Sequence, residues 1–378
     1  MGLTDRLLSG LIDKSLKSAS NNSDNGLLIK TIKQLAPTRY KEFVDSLDVF
    51  LSPNSPFQPI ISKLYDRLNE NARKKFINNF IINHNINGFV PQYEKENQEG
   101  EIPAIYSVLI SPSFACNLKC RGCYAQDYPR KNGLDYKTLD SVVSQADKLG
   151  IRFFTILGGE PFIRGDIFDL FQKHNRLYFQ TFTNGTLIDD KKADRLASLG
   201  NIWVNFSLEG FEKETDERRG EGTYKKIISG MSKLKERGVG FGYSTTVTKR
   251  NLDIITSDEF VDSMIEKGSL IGWYFLYMPV ANSDLELMPS PEERLKLKKR
   301  GEHIRKNKPL FIVDFWNDAP YVEGCIAGKR YIHINANGDV EPCIFMHFAT
   351  DNIQKKPLKE ILNFSKKSVC FSGQMNCV

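Results

Sequence analysis

Residues 106–125 read YSVLISPSFACNLKCRGCYA. The opening six, 106–111, are mostly apolar and carry no helical period, which predicts a short strand buried on both faces. Directly behind them stand Cys116, Cys120 and Cys123 in C-x3-C-x2-C spacing, and no further cysteine follows until Cys325. Closed iron–sulfur and zinc sites take four protein ligands, so a triplet leaves one position open. Unrelated buried thiols rarely fall so close together. A zinc site completed by a remote histidine is the competing reading, because thiolates suit both metals.

Working outward, the pattern of 106–111 recurs at 153–158, 179–184, 203–210, 241–248 and 272–280, each run rich in β-branched and aromatic residues. Helical periodicity fills the intervals, near 137–149, 166–176, 189–199, 223–238, 252–268 and 291–306. Six repeats of strand then helix predict an α/β fold, a parallel sheet either open or curled into part of a barrel. Chemistry in such folds sits at the carboxyl ends of the strands, where the cysteine triplet falls. Upstream, residues 1–103 read as a helical extension with helices at 3–16, 38–51 and 58–81, ending in a polar linker at 93–103. Downstream of 310, the alternating segment 331–345 turns at Asn337-Gly338 and predicts a β-hairpin, followed by a short helix at 357–364.

With 52 basic and 46 acidic residues the net charge is +6, too mild to argue for nucleic acid. The dense basic run 294–308 reads as a solvated helix face. There is no run of 18 apolar residues, no secretory signal pattern, and Arg6 breaks the myristoylation motif. The expectation is a cytoplasmic protein whose seven cysteines are metal ligands rather than disulfide partners. Leu3, Leu7, Leu8, Leu11, Ile12 and Leu16 give the first helix an apolar face. Packing on the main domain or a partner is its expected use, and a peripheral membrane-surface placement is the alternative.

These residues resemble the radical S-adenosylmethionine (radical SAM) superfamily, in which C-x3-C-x2-C follows the first strand of a repeated β/α domain. The resemblance implies a partial (β/α)6 barrel and a [4Fe–4S] cluster held by Cys116, Cys120 and Cys123, with the open iron chelated by SAM. It continues in 158-GGEP-161, 183-TNG-185, 207-SLEG-210 and 219-RGEGTY-224, each at a later strand end or just beyond it. By that likeness Gly158, Gly159, Glu160, Pro161, Asn184, Ser207, Glu209 and Arg219 bind SAM. Glu160 would accept from its amino group, Ser207 and Glu209 would meet the ribose, and Arg219 would pair with the carboxylate. The family often carries an aromatic residue directly before the third cysteine. Here that position is Gly122, which leaves the adenine contact open.

Cys325 precedes Gly338 by twelve intervening residues and Cys343 follows four further on, a spacing similar to the opening of the SPASM or twitch extension. The later cysteine run of that extension is absent, and only Cys370 and Cys377 remain. One auxiliary [4Fe–4S] cluster, from Cys325, Cys343, Cys370 and Cys377, is the expectation, with a structural zinc site as the alternative. His333 and His347 flank Cys343 and read as ordinary hairpin residues. The expected organisation is 1–103 helical extension, 104–310 radical SAM core and 311–378 auxiliary region. The expected activity is reductive SAM cleavage followed by hydrogen abstraction, with electrons from an external donor of flavodoxin or ferredoxin type. The SPASM-like spacing favours a peptide or protein substrate. A lipid or small molecule is the rival, and a non-enzymatic zinc or cluster-binding module is the alternative of another class.

Overall fold

The computed structural model describes residues 2–21, 26–35, 45, 55, 57–96, 98, 102–131, 133–280, 284–322 and 324–365. Its sheet is built on β1 (Ser107–Ile110), β2 (Phe153–Ile156), β3 (Tyr178–Thr183), β4 (Ile202–Ser207), β5 (Phe241–Val247) and β6 (Ile271–Leu276). These six pair in sequence order, all parallel. The sheet then extends at both ends. β7 (Phe311–Asp314) adds beside β6, and β8 (Tyr331–Ile334) pairs in parallel with β1. Asn335 to Gly338 turn the chain back into β9 (Asp339–Glu341), which carries β10 (Asp351–Asn352) at the far edge. The auxiliary hairpin is thus continuous with the barrel sheet.

Side chains alternate strictly across this sheet. Val108, Ile110, Phe154, Ile156, Phe179, Val204 and Phe206 point outward into the main core beneath the helices. Each fully buried side chain of this kind contributes about 1.5–3 kcal/mol. The covering helices are α6 (Tyr136–Lys148), α7 (Ile167–Lys173), α8 (Asp190–Leu199), α9 (Glu212–Arg219), α10 (Thr223–Glu236), α11 (Leu252–Ile255), α12 (Asp258–Lys267), α13 (Pro291–Asn307) and α14 (Leu358–Ser365). In α6, Leu139, Val142, Val143 and Ala146 fall on one buried face, and Asp135 caps its start by accepting from Thr138 N at 2.7 Å. Inward-facing residues, among them Leu109, Thr155, Phe182, Trp273, Phe275 and Val313, surround a common chamber, so the sheet curls round it.

The helical extension closes the other end. α1 (Leu3–Ser20) and α2 (Gly26–Leu35) pack with α3 (Gln58–Arg67), and Leu8, Ile12, Leu16, Ile29, Ile32 and Ile61 form their own core. Leu8, Ile12 and Leu16 of the apolar face of α1 are therefore spent on neighbouring helices, while Leu7 stays exposed. Among the described residues no helix is long and apolar enough to cross a membrane. The expected helix 38–51 lies outside the described residues apart from Asp45. That expected over 58–81 breaks at Leu68 and Asn69, because Asn69 accepts from Ala72 N at 2.8 Å and starts α4 (Glu70–Lys75).

From there a π-helical stretch, Phe76–Phe89, runs into α5 (Val90–Lys95), whose last three residues fall in what read as linker. Phe80 meets Phe153 edge-on at 5.1 Å, and the buried His84 meets Tyr106 at 4.7 Å. Asn79 Nδ2 donates to Asn175 O and Leu177 O at 2.8 and 3.0 Å. The stretch is a plug across the amino-terminal ends of β1–β3.

Candidate active site

The loop carrying the three cysteines leaves β1 and crosses the carboxyl ends of its neighbours. Gly159 N donates to Ser113 O at 2.9 Å and Glu160 N to Ala115 O at 2.8 Å, which fastens the GGEP turn to the chain just ahead of Cys116. Only glycine permits that approach. A Cβ on Gly159 would stand 2.1 Å from Ala115 O, and Gly158 holds a left-handed φ of 106°.

Cys116, Cys120 and Cys123 face one cavity of about 180 Å3. Leu118 N and Asn184 Nδ2 donate to Cys116 Sγ at 3.4 and 3.9 Å, and Arg219 Nη1 to Cys120 Sγ at 4.0 Å. Burial pushes the Cys116 thiol up, with the Leu118 N–H partly opposing it. Metal binding must displace that proton. Among the described residues no three His, Cys, Asp or Glu side chains converge on a single ion. Cluster thiolates need not do so, because each binds a different iron.

Gly158, Gly159, Asn184, Ser207 and Arg219 line the same cavity. Glu160, Pro161 and Glu209 stand outside that lining. The buried Glu160 carboxylate accepts from Phe162 N at 3.0 Å, Thr183 Oγ1 at 2.7 Å and Asn184 N at 2.7 Å. With three of about four acceptor directions used, it bolts the end of β2 to the end of β3. Burial raises its pKa, opposed by those donors and by Arg219. Glu209 lies behind the wall as a counter-ion. Its Oε1 accepts from Arg218 Nη1 and from both Nε and Nη2 of Arg219. The Arg219 fork is thereby occupied, leaving Nη1 turned toward Cys120. Burial opposes the Arg219 charge, but Glu209 and Cys120 outweigh it and hold its pKa up.

Sequence reasoning missed Tyr277, together with Ser244, Thr245 and Thr246 from β5, all on the cavity wall. A Cβ on Gly122 would come within 2.7 Å of the Tyr277 ring, so this tyrosine occupies the place of the missing side chain at 122. Its hydroxyl is buried with no partner among the described residues, as is Glu209 Oε2. Counting to the end of the sixth strand, as for TNG and SLEG, would have found it.

A second cavity, about 690 Å3, fills the barrel interior and shares Leu157, Phe182, Phe275, Ile344 and Phe345 with the first. Trp273 and Phe275 hold parallel rings, and Phe182 meets both edge-on. Cys325 lies on the wall of this chamber, while Cys343 is buried, its Sγ accepting from Phe345 N at 3.4 Å. Cys370 and Cys377 lie outside the described residues.

The radical SAM superfamily model matches residues 110–257, and an iron–sulfur cluster-binding domain model, SPASM, matches 325–376. Fe-coproporphyrin III synthase of Methanosarcina barkeri is 30% identical over 290 residues, covering 65% of this chain and 70% of that protein. The chain belongs to the radical SAM superfamily. AdoMet-dependent heme synthase of Nitratidesulfovibrio vulgaris is 24% identical, over 65% of this radical SAM chain and 76% of its own length. In fold the chain is similar to Streptococcus suis SuiB, solved with its precursor peptide SuiA, at a TM-score of 0.62 and 23% identity, covering 75% of this chain and 69% of SuiB. This radical SAM chain is an enzyme whose cofactors are [4Fe–4S] clusters and SAM. The residues present fit them: three soft thiols line the cavity, and beside them is a tyrosyl hydroxyl with no partner among the described residues.

Proposed function

We propose that Cys116, Cys120 and Cys123 hold the SAM-binding cluster and that the substrate is a small molecule with a flat, largely apolar body, seated in the aromatic chamber. When bound and reduced by an external donor of flavodoxin or ferredoxin type, the cluster supplies cleavage of SAM to methionine and a 5′-deoxyadenosyl radical. The chain's own residues do the rest. Gly158 and Gly159 let a ligand lie against bare backbone, Asn184 and Arg219 point donors at the cysteine sulfurs, and Tyr277, Ser207 and Ser244 offer hydroxyls on the cavity wall. Glu209 keeps Arg219 charged and aimed, and the apolar walls keep water from the reacting bond.

The observation that carries the substrate reading is the shared wall between the two cavities, since a molecule in the chamber touches the same five residues that border the cysteines. Its volume, about 690 Å3, is that of a small-molecule site. Two relatives are named for heme and Fe-coproporphyrin III, flat ring systems that such walls would stack against. A peptide is the second reading, favoured by the SuiB precursor complex and by the exposed Tyr321 and Val322 at the chamber's rim. A lipid docked through α1 is disfavoured, because that helix buries most of its apolar face and, among the described residues, leaves only Leu7 of it well exposed.

Two of the three tryptophans, Trp273 and Trp316, stand on the chamber wall and report its occupancy. Titrating the reconstituted protein anaerobically with iron coproporphyrin should quench their fluorescence saturably, and Phe182→Trp should weaken binding by narrowing the chamber. Quenching by aromatic peptides alone would favour the second reading. No response to either probe would count against the chamber as the substrate site.

A further inference from the structure

One buried polar cluster has no part in the chemistry above. It lies between the cysteine loop and the hairpin β8–β9. His333 and Glu341, paired across that hairpin, are both almost wholly inaccessible. His333 Nδ1 and Glu341 Oε2 are 2.8 Å apart, and His333 Nε2 and Ser111 Oγ are also 2.8 Å apart. A carboxylate only accepts, so Nδ1–H donates to Glu341, and Nε2 and the Ser111 hydroxyl share the next hydrogen bond. Ser111 is in turn a hydrogen-bond partner of Tyr124, the neighbour of Cys123. At the other end Glu341 Oε1 accepts from Tyr128 O–H at 3.0 Å and Asn335 Nδ2 at 2.9 Å.

The circuit therefore closes on the cysteine loop at two points, Tyr124 and Tyr128, with the third cysteine directly before the first of them. Apolar contacts follow the same seam: Tyr128 stacks on Phe114 at 4.0 Å, and Ala336 of the hairpin turn packs with Phe114 and Ala125. A fully satisfied buried network of this kind specifies one geometry, whereas one missing member leaves costly orphans. Its fully buried Ser111 and His333 give no substrate access, so the cluster does not catalyse.

We propose that Tyr128, Glu341 and His333 are positioning residues that hook the cysteine loop to the auxiliary hairpin and so set the placement of Cys123. Glu341 stands two residues before Cys343, so the same hook ties the geometry of the two cysteine sites together. The inference rests on reading the three cysteines as the cluster ligands.

Tyr128→Phe tests it, because the ring stack on Phe114 survives and only the hydroxyl is lost. In the metal-free full chain, amide hydrogen exchange across 114–131 should quicken about tenfold, as loss of a hydrogen bond to a charged group implies, with β2–β5 unchanged. After anaerobic reconstitution, iron content should stay near wild type while the midpoint potential and SAM-induced spectral change of the reduced cluster shift. Glu341→Gln should move both readouts the same way. Tyr243→Phe removes a buried hydroxyl remote from the loop, one that lies 3.3 Å from that of Tyr274, and is the control. Unaltered loop exchange in Tyr128→Phe, or equal effects in the control, would overturn the hook. A wild-type chain that takes up no iron would overturn the cluster reading instead, and the exchange data would still decide the hook.

Discussion

Replacing Gly159 with alanine tests how tightly the cysteine loop is tied to the second strand end. The added Cβ would sit 2.1 Å from Ala115 O, whereas ordinary contact begins at 3.4 Å, so something must give by 3.4 − 2.1 = 1.3 Å. All three of its nearest atoms are backbone atoms of Phe114 and Ala115, which cannot swing aside as a flexible side chain would. Two backbone hydrogen bonds are at stake, Gly159 N to Ser113 O and Glu160 N to Ala115 O. At about 1 kcal/mol each, with about 1–3 kcal/mol for overpacking, the cost is about 3–5 kcal/mol. The shift also exceeds the ~0.5 Å tolerance of a preorganised site, so Cys116 would leave its place. Urea unfolding should show the stability loss, and iron per chain after reconstitution should fall at least severalfold. Gly165→Ala, with no atom within 4 Å of the new Cβ, should change neither. A Gly159→Ala protein with wild-type stability and iron content would refute the reasoning.

His84 in the π-helical plug should make stability fall in mild acid. Burial, helped by Arg152, lowers its pKa from 6.5 to about 3, so the unfolded chain binds a proton that the folded chain refuses between those values. The sign follows: its contribution is complete above 6.5 and is lost as pH falls toward 3, by about 1.4 kcal/mol per unit once well below 6.5. Between pH 7 and 5.5 wild type should lose about 1 kcal/mol more than His84→Phe in urea unfolding, and parallel losses would contradict this. Glu209→Ala should destabilise by about 3–5 kcal/mol, because it strands two largely buried guanidinium groups. Adding Arg218→Met should recover part of that loss; no recovery would show the pair to be irrelevant.

Much of this was legible in the chain because its signals are local. Six apolar runs alternating with helical periods became β1–β6 in order, and Asn337-Gly338 turned the hairpin where expected. What escaped notice depends on distant partners. The run 311–314 is only four residues long and becomes a strand by pairing with β6. Nothing in 331–334 says that it will lie beside β1 rather than apart from the barrel. The apolar face of α1 is visible in sequence, but its occupants, on α2, α3 and the π-helical plug, are not.

The site divides along the same line. The spacing of the glycines and of the three clustered cysteines was legible because it reflects backbone approach, as Gly159 against Ala115 shows. The partners that Glu160 and Glu209 hold, among them Asn184 and Arg219, sit 24 and 10 residues away in sequence and are joined to them only by the fold. Tyr277 was missed because the feature that calls for it, the bare Gly122, lies on another element.

The central claim is that the three-cysteine loop makes an open cluster site for SAM. Anaerobic reconstitution with iron and sulfide, then reduction in the presence of SAM with 5′-deoxyadenosine and metals quantified, tests it most directly. The account predicts 5′-deoxyadenosine from wild type, none from Cys120→Ala, and about four irons per chain lost with that substitution. Zinc without iron in the wild-type protein, with SAM intact, would contradict it.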